Sequence, residues 1–160
     1  MKKIFGLLFF STLLFTSCVN DDDVDFDTIG TTFEFTTNFN QANGFGTRFF
    51  FNQEIFESDV VLVYRLEAVD SGLDVWEPLP TATIFLDDGN GGEITALYRF
   101  NFTIGDVDVL LESNAPDLLP ADLTNNQTFR VVVVPAAFAE NTDINLQDFN
   151  EVQAALNLEF

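Results

Sequence analysis

Histidine is absent from this 160-residue chain, lysine occurs only as Lys2 and Lys3, and the single cysteine is Cys18. With those residues missing, Ser-His and Cys-His nucleophile pairs, lysine-based nucleophiles and zinc sites of Cys and His are excluded by inventory. One thiol also rules out a disulfide within the chain. Carboxylate chemistry is the only catalytic option left, a pair of Asp or Glu residues cleaving a glycosidic bond. With 26 carboxylates on a small surface, close pairs arise without catalysis. The chain therefore reads as a non-enzyme, with a glycan hydrolase as a distant alternative.

Positive charge is equally scarce. Beyond residue 17 the basic residues are Arg48, Arg65, Arg99 and Arg130, and four arginines against 26 carboxylates leave a formal charge of −22, compared with −20 for the whole chain. Such a surface repels phosphate backbones, which need clustered Lys and Arg, so nucleic acid is excluded as a partner. The acidity reads as solubility at a crowded or saline cell exterior. A cation site fails on spacing. The loop Asp87 to Glu93 lacks the third oxygen ligand of an EF-hand series, and the twelfth position counted from Asp88 is Arg99. It reads as a glycine-rich hairpin connection, and no metal is expected.

What is present begins with an export signal. Lys2-Lys3, the apolar run Ile4 to Phe15 and the small pair Thr16-Ser17 precede Cys18, the layout of a secretory signal. Twelve residues rise about 18 Å as a helix, short of a hydrocarbon core of roughly 30 Å, so the run is not a lasting span. Leu14-Phe15-Thr16-Ser17-Cys18 resembles a bacterial lipobox, with Phe15 where Leu is usual. The resemblance implies that residues 1–17 are removed and that Cys18 carries palmitate-type acyl chains, the covalent lipid standing in place of any cofactor. Two or three chains anchor firmly where one is marginal, so the bilayer is the first expected partner.

Residues 18–30 then form an acidic tether. Asp21-Asp22-Asp23 with Asp25 and Asp27 repel one another and bury little. An acidic cluster just after the lipidated cysteine resembles the export signal of surface lipoproteins in the Bacteroidota, which implies the outer membrane with the domain facing outward. A plain linker facing the periplasm is the alternative. Asp27-Thr28-Ile29 resembles a short O-glycosylation motif of that phylum, at Thr28.

Residues 31–160 read as one all-β domain. Phe33, Phe35 and Phe39 share one face of a strand. Val60, Leu62, Tyr64, Leu66 and Ala68 alternate with Val61, Val63, Arg65 and Glu67, the pattern of a half-buried antiparallel strand. Ile94, Ala96, Tyr98, Phe100, Phe102 and Ile104 form the clearest period of two, and further strands are expected at 47–52, 82–86, 107–112 and 128–134. Turn residues stand between them at Asn43-Gly44, Asp70-Ser71-Gly72, Asp87 to Gly92 and Asn125-Asn126. About seven short strands at this spacing predict a two-sheet antiparallel sandwich of immunoglobulin-like type, a small barrel being the alternative. Phe149, Val152 and Leu156 fall at helical spacing, and Asp148 with Glu151 resembles a capping box. One short helix over about 146–158 should cover a sheet edge or one end.

Trp76, the only tryptophan, lies in Leu73-Asp74-Val75-Trp76-Glu77-Pro78-Leu79-Pro80, read as a loop with a proline turn. It serves either as a lid on the core or as a ring for a ligand to stack on. Phe49-Phe50-Phe51 offers large groups to both faces of a strand, and burial on both sides is expected.

The segments Phe56 to Leu66, Leu73 to Pro80, Phe129 to Ala136 and Asp148 to Val152 together resemble a family of small flavobacterial lipoproteins. Some of those carry a collagen-like, Gly-rich stretch after the lipidated cysteine, absent here. The resemblance implies compartment and fold, and transfers no activity or site residue. Two functions follow from the sequence. One is a non-catalytic surface module contacting an unidentified protein or glycan, marked by an exposed aromatic patch, with Trp76 as its contact. The other is a structural envelope lipoprotein with no soluble ligand, in which every large aromatic is buried.

Overall fold

Alternating apolar residues build two sheets, and the spacing of their turns brings the sheets face to face. The computed structural model describes residues 30–140 and 143–158. The signal segment, Cys18, the acidic cluster and Thr28 lie outside the described residues. The strands are β1 (Thr31–Thr37), β2 (Gly46–Phe50), β3 (Val60–Asp70), β4 (Leu73–Pro78), β5 (Ile84–Asp87), β6 (Glu93–Phe102), β7 (Asp106–Ser113) and β8 (Gln127–Val134). Three helices follow in the second half: α1 (Ala121–Thr124), α2 (Ala136–Glu140) and α3 (Phe149–Leu156). One sheet has the order β1-β8-β3-β4 and the other β2-β7-β6-β5, with every pairing antiparallel. This is the expected two-sheet sandwich, with eight strands rather than seven.

The eighth strand is β4, which the sequence reads as a loop because of Pro78 and Pro80. β4 is an edge strand paired only with β3, and proline is tolerated at an edge, where its missing N–H breaks no ladder.

Between the sheets lies an aromatic core. Phe35 stacks on Phe49 at 5.3 Å and on Phe129 at 5.6 Å, while Phe39 meets Tyr98 and Phe129 edge-on at 5.7 and 5.9 Å. Val61, Val63, Val107, Val109 and Val131 fill the space among the rings. Phe39 belongs to this core but lies beyond the end of β1.

Four expectations about faces are corrected. β3 is covered on both sides, Val61, Val63 and Arg65 between the sheets and Tyr64 beneath the C-terminal segment. The helix near the C-terminus covers neither an edge nor an end. It lies on the outer face of the β1-β8-β3-β4 sheet, where Tyr64, Val132 and Val134 would otherwise expose apolar surface. Phe49 and Phe51 do pack inward, but Phe50 is 66% exposed, because alternation along β2 turns it to the outer face opposite Asp106. In β6 the period holds for Ile94, Ala96 and Tyr98, whereas Phe102 and Ile104 run past the core into solvent.

The helix start follows from its cap. Asp148 Oδ1 accepts from the N–H groups of Asn150 and Glu151, as an N-cap aspartate should. The reciprocal half of the box is absent, since Glu151 Oε2 accepts instead from Asn145 N. Leu156 then packs against Gly30, where an added Cβ would lie 2.9 Å from it.

Candidate functional site

Trp76 stands on the edge strand β4, opposite Leu66 of β3. Arg130 stands on β8, opposite Tyr64 of β3. The outer face they share brings the Arg130 guanidinium carbon to 4.1 Å from the centre of the indole ring and 4.9 Å from the centre of Phe149. Phe149, the first residue of α3, wedges between Tyr64 at 5.1 Å and Trp76 at 5.6 Å. The Arg130 side chain is mostly buried, with Nε donating to Glu34 Oε2 at 2.8 Å and Nη2 3.9 Å from Asp74 Oδ2. Tyr64 donates to Leu146 O at 2.6 Å, and burial, with nearby Asp148 adding to it, pushes its phenol well above the ordinary range.

Trp76, Arg130 and Phe149 line a cleft of about 730 Å³ between β4 and the C-terminal segment. Asn145, Gln147, Asn150 and Gln153 bring amides to its lining, and Asp74 and Asp148 bring carboxylates. Leu73 and Val75, exposed at 73% and 38%, line the mouth. The chemistry on offer is one half-buried aromatic ring, several amides and flanking acids, in a cleft of small-ligand size.

The chain matches no protein-family model, no curated protein and no solved structure.

Cys18, the expected lipidation site, lies outside the described residues. Trp76 is neither wholly a lid nor wholly exposed: it joins the second apolar cluster with Tyr64 and Phe149 while lining the cleft. Sequence reasoning missed Arg130 and the amides. The signals were there, an arginine within the valine-rich β8 and amides three apart at Asn150 and Gln153 on α3.

The acidic hairpin is self-contained. Asp88 Oδ1 accepts from Asn90 N at 2.7 Å and Gly92 N at 2.8 Å, and Asp87 Oδ1 from Gly89 N at 2.6 Å. The Asn90 and Gly92 amides hold the Asp88 carboxyl below the usual range. Among the described residues no three His, Cys, Asp or Glu side chains converge as metal ligands, and no helix is long and apolar enough to cross a membrane. A second depression, about 540 Å³, lies by Phe45, Leu97, Leu111 and Pro116, and Glu112 is the only charged group lining it.

Proposed function

We propose that the protein is a lipid-anchored envelope module. In this reading residues 1–17 are cleaved, Cys18 is acylated, and residues 18–30 hold the β-sandwich at the outer membrane, facing the cell surface. The domain acts there as a non-catalytic binding module, and the Trp76 cleft is its contact site for a neutral glycan or a polar protein segment. The observation that carries the binding reading is the indole ring lining an open cleft together with four amide side chains. Amide groups hydrogen-bond hydroxyls in either direction, and an aromatic face packs on the C–H side of a sugar ring.

The solvent exposure of Phe50, Phe56, Phe85 and Phe102 supports a contact surface over an inert packing role, in which large aromatics would be covered. The packing of Trp76 against Phe149 and Arg130 favours the second reading, a structural envelope lipoprotein. The capping role of Asp148 weighs against a hydrolase, which needs two carboxyls free to act on substrate.

Because Trp76 is the only tryptophan, its fluorescence reports directly on the cleft. Titration with neutral oligosaccharides should shift the emission, and Trp76→Ala should abolish retention on the matching immobilised polysaccharide. Equal retention of the two chains would exclude the cleft. Mass spectrometry of membrane-extracted protein should find Cys18 as the acylated amino terminus.

A further inference from the structure

Four large apolar side chains stand in solvent near one end of the sandwich: Phe50 at 66% exposure, Phe56 at 60%, Phe102 at 44% and Ile104 at 41%. Topology gathers them. Phe50 ends β2, Phe102 ends β6, Ile104 lies in the β6–β7 hairpin, and Phe56 belongs to the segment joining β2 to β3. That segment is fastened to the hairpin, Phe51 N donating to Gly105 O and Ile55 N to Ile104 O, both at 2.9 Å.

The chain enters the domain at this same end. Phe35 contacts Phe49, whereas Phe33 contacts both Phe49 and Phe51, so the end of β2 runs toward the start of β1. Gly30 precedes Thr31, which pairs with Val133 near the end of β8. Twelve residue steps lead back from Gly30 to Cys18, a reach of at most about 40 Å.

We propose that Phe50, Phe56, Phe102 and Ile104 rest on the surface of the bilayer that holds Cys18, and that this surface is a net-neutral, zwitterionic phospholipid face. The inference rests on the lipid-anchored reading above. A short tether ending beside the patch keeps it near lipid at high effective concentration, where contacts too weak to bind from solution become populated. The four side chains project from separate segments and line neither the Trp76 cleft nor the depression by Phe45, which suits shallow insertion among headgroups. Glu54 and Glu57 flank Phe56, and Arg48, the cation two residues from Phe50, is already paired with Asp106 and Asp108, so anionic headgroups would be repelled. The opposite end of the sandwich, where the β3–β4 hairpin lies beside the Trp76 cleft, then points away from the membrane.

The test uses the lipidated protein in phosphatidylcholine vesicles with brominated acyl chains, which quench only tryptophan near the lipid. In a Trp76→Phe background, Phe102→Trp should be quenched at least about twofold, as expected of a ring inserted roughly 5–10 Å. The native Trp76 should stay unquenched, and adding phosphatidylglycerol should reduce the effect at position 102. Phe50→Trp is a second probe at the most exposed of the four positions. Probes as unquenched as Trp76 on protein with acylated Cys18 would overturn the docking and leave the anchor intact. A bare Cys18 by mass spectrometry would remove the anchor and the docking together. Dimerisation of the Cys18→Ser chain without lipid, lost in Phe50→Ser, would give the patch to a second copy and overturn the proposal.

Discussion

Arg65 occupies a place where an unpaired charge would be costly. It is 6% exposed between the sheets. Its Nε donates to Gln127 Oε1 at 2.9 Å, Nη1 lies 3.5 Å from Glu77 Oε2, and its guanidinium carbon is 4.5 Å from the centre of Tyr98. Tyr98 donates to the Leu123 carbonyl, and the Gln127 amide donates to the carbonyls of Asp122 and Asn125 at 2.8 Å. Each member therefore has a partner, the condition under which a buried polar network is tolerated. Burial pushes the Tyr98 phenol from 10.0 up to about 12. A folded pKa above the unfolded one means that this stabilisation is complete below pH 10 and is lost as pH rises through about 12. Tyr64 shifts in the same direction. The urea midpoint should accordingly fall between about pH 9 and pH 11.5. In Tyr98→Phe it should fall less, with Tyr64 carrying the remainder, and an unchanged pH slope would refute the role given to Tyr98.

At the scale of elements, α3 is a cover, and its hold on the sheet depends on few side chains. Phe149 and Val152 are its buried residues. Phe149→Ala should cost about 3 kcal/mol through lost burial and the cavity left behind, read from denaturant unfolding. It should also move Trp76 emission to longer wavelength as the indole becomes wetter. A blue or unchanged emission would mean that Phe149 does not shelter the ring. The β5–β6 turn depends instead on backbone geometry, with Gly91 at φ +86 and no atom within 4 Å of an added Cβ. Gly91→Ala should therefore cost about 1–2 kcal/mol from strain alone, with no steric cause, and wild-type stability in that variant would contradict this. Most strands were legible because a period of two survives wherever one face meets the core, as in Ile94, Ala96 and Tyr98. The cleft was harder to see. Its parts come from β4, β8 and α3, which meet only through tertiary packing, and β4 was hidden by its edge prolines. The sequence located Asp148 as a helix start, but the face covered by α3 depends on sheet order, to which local periodicity is blind.

Across the whole molecule, charge is distributed unevenly between pairing and repulsion. All four arginines have acidic partners: Arg48 with Asp108 at 2.7 Å, Arg65 with Glu77, Arg99 with Glu112 at 2.5 Å, and Arg130 with Glu34. The hydrogen bond from Arg48 holds the Asp108 carboxyl below its usual range, so the stability it adds is present above about pH 4 and lost as pH falls through the lowered value. The exposed Arg48 and Arg99 pairs are individually weak, whereas Arg65 and Arg130 are mostly buried. Asp106 and Asp74 add contacts to Arg48 and Arg130, but most of the 26 carboxylates in the chain are in excess over its cations and repel one another through solvent. Salt screens both terms, with a Debye length of about 30 Å at 0.01 M that shrinks to roughly 10 Å at 0.1 M. Because repulsive pairs far outnumber attractive ones, the balance favours stabilisation by salt. The melting temperature at neutral pH should therefore rise as sodium chloride increases from about 0.01 M to 0.5 M, most of the rise coming in the first tenth molar as long-range repulsion is screened. The expected rise is the reverse of what a protein held together by its ion pairs would show. A fall over that range would mean that the four arginine pairs outweigh the excess negative charge, and that the acidity is structural rather than a cost of remaining soluble.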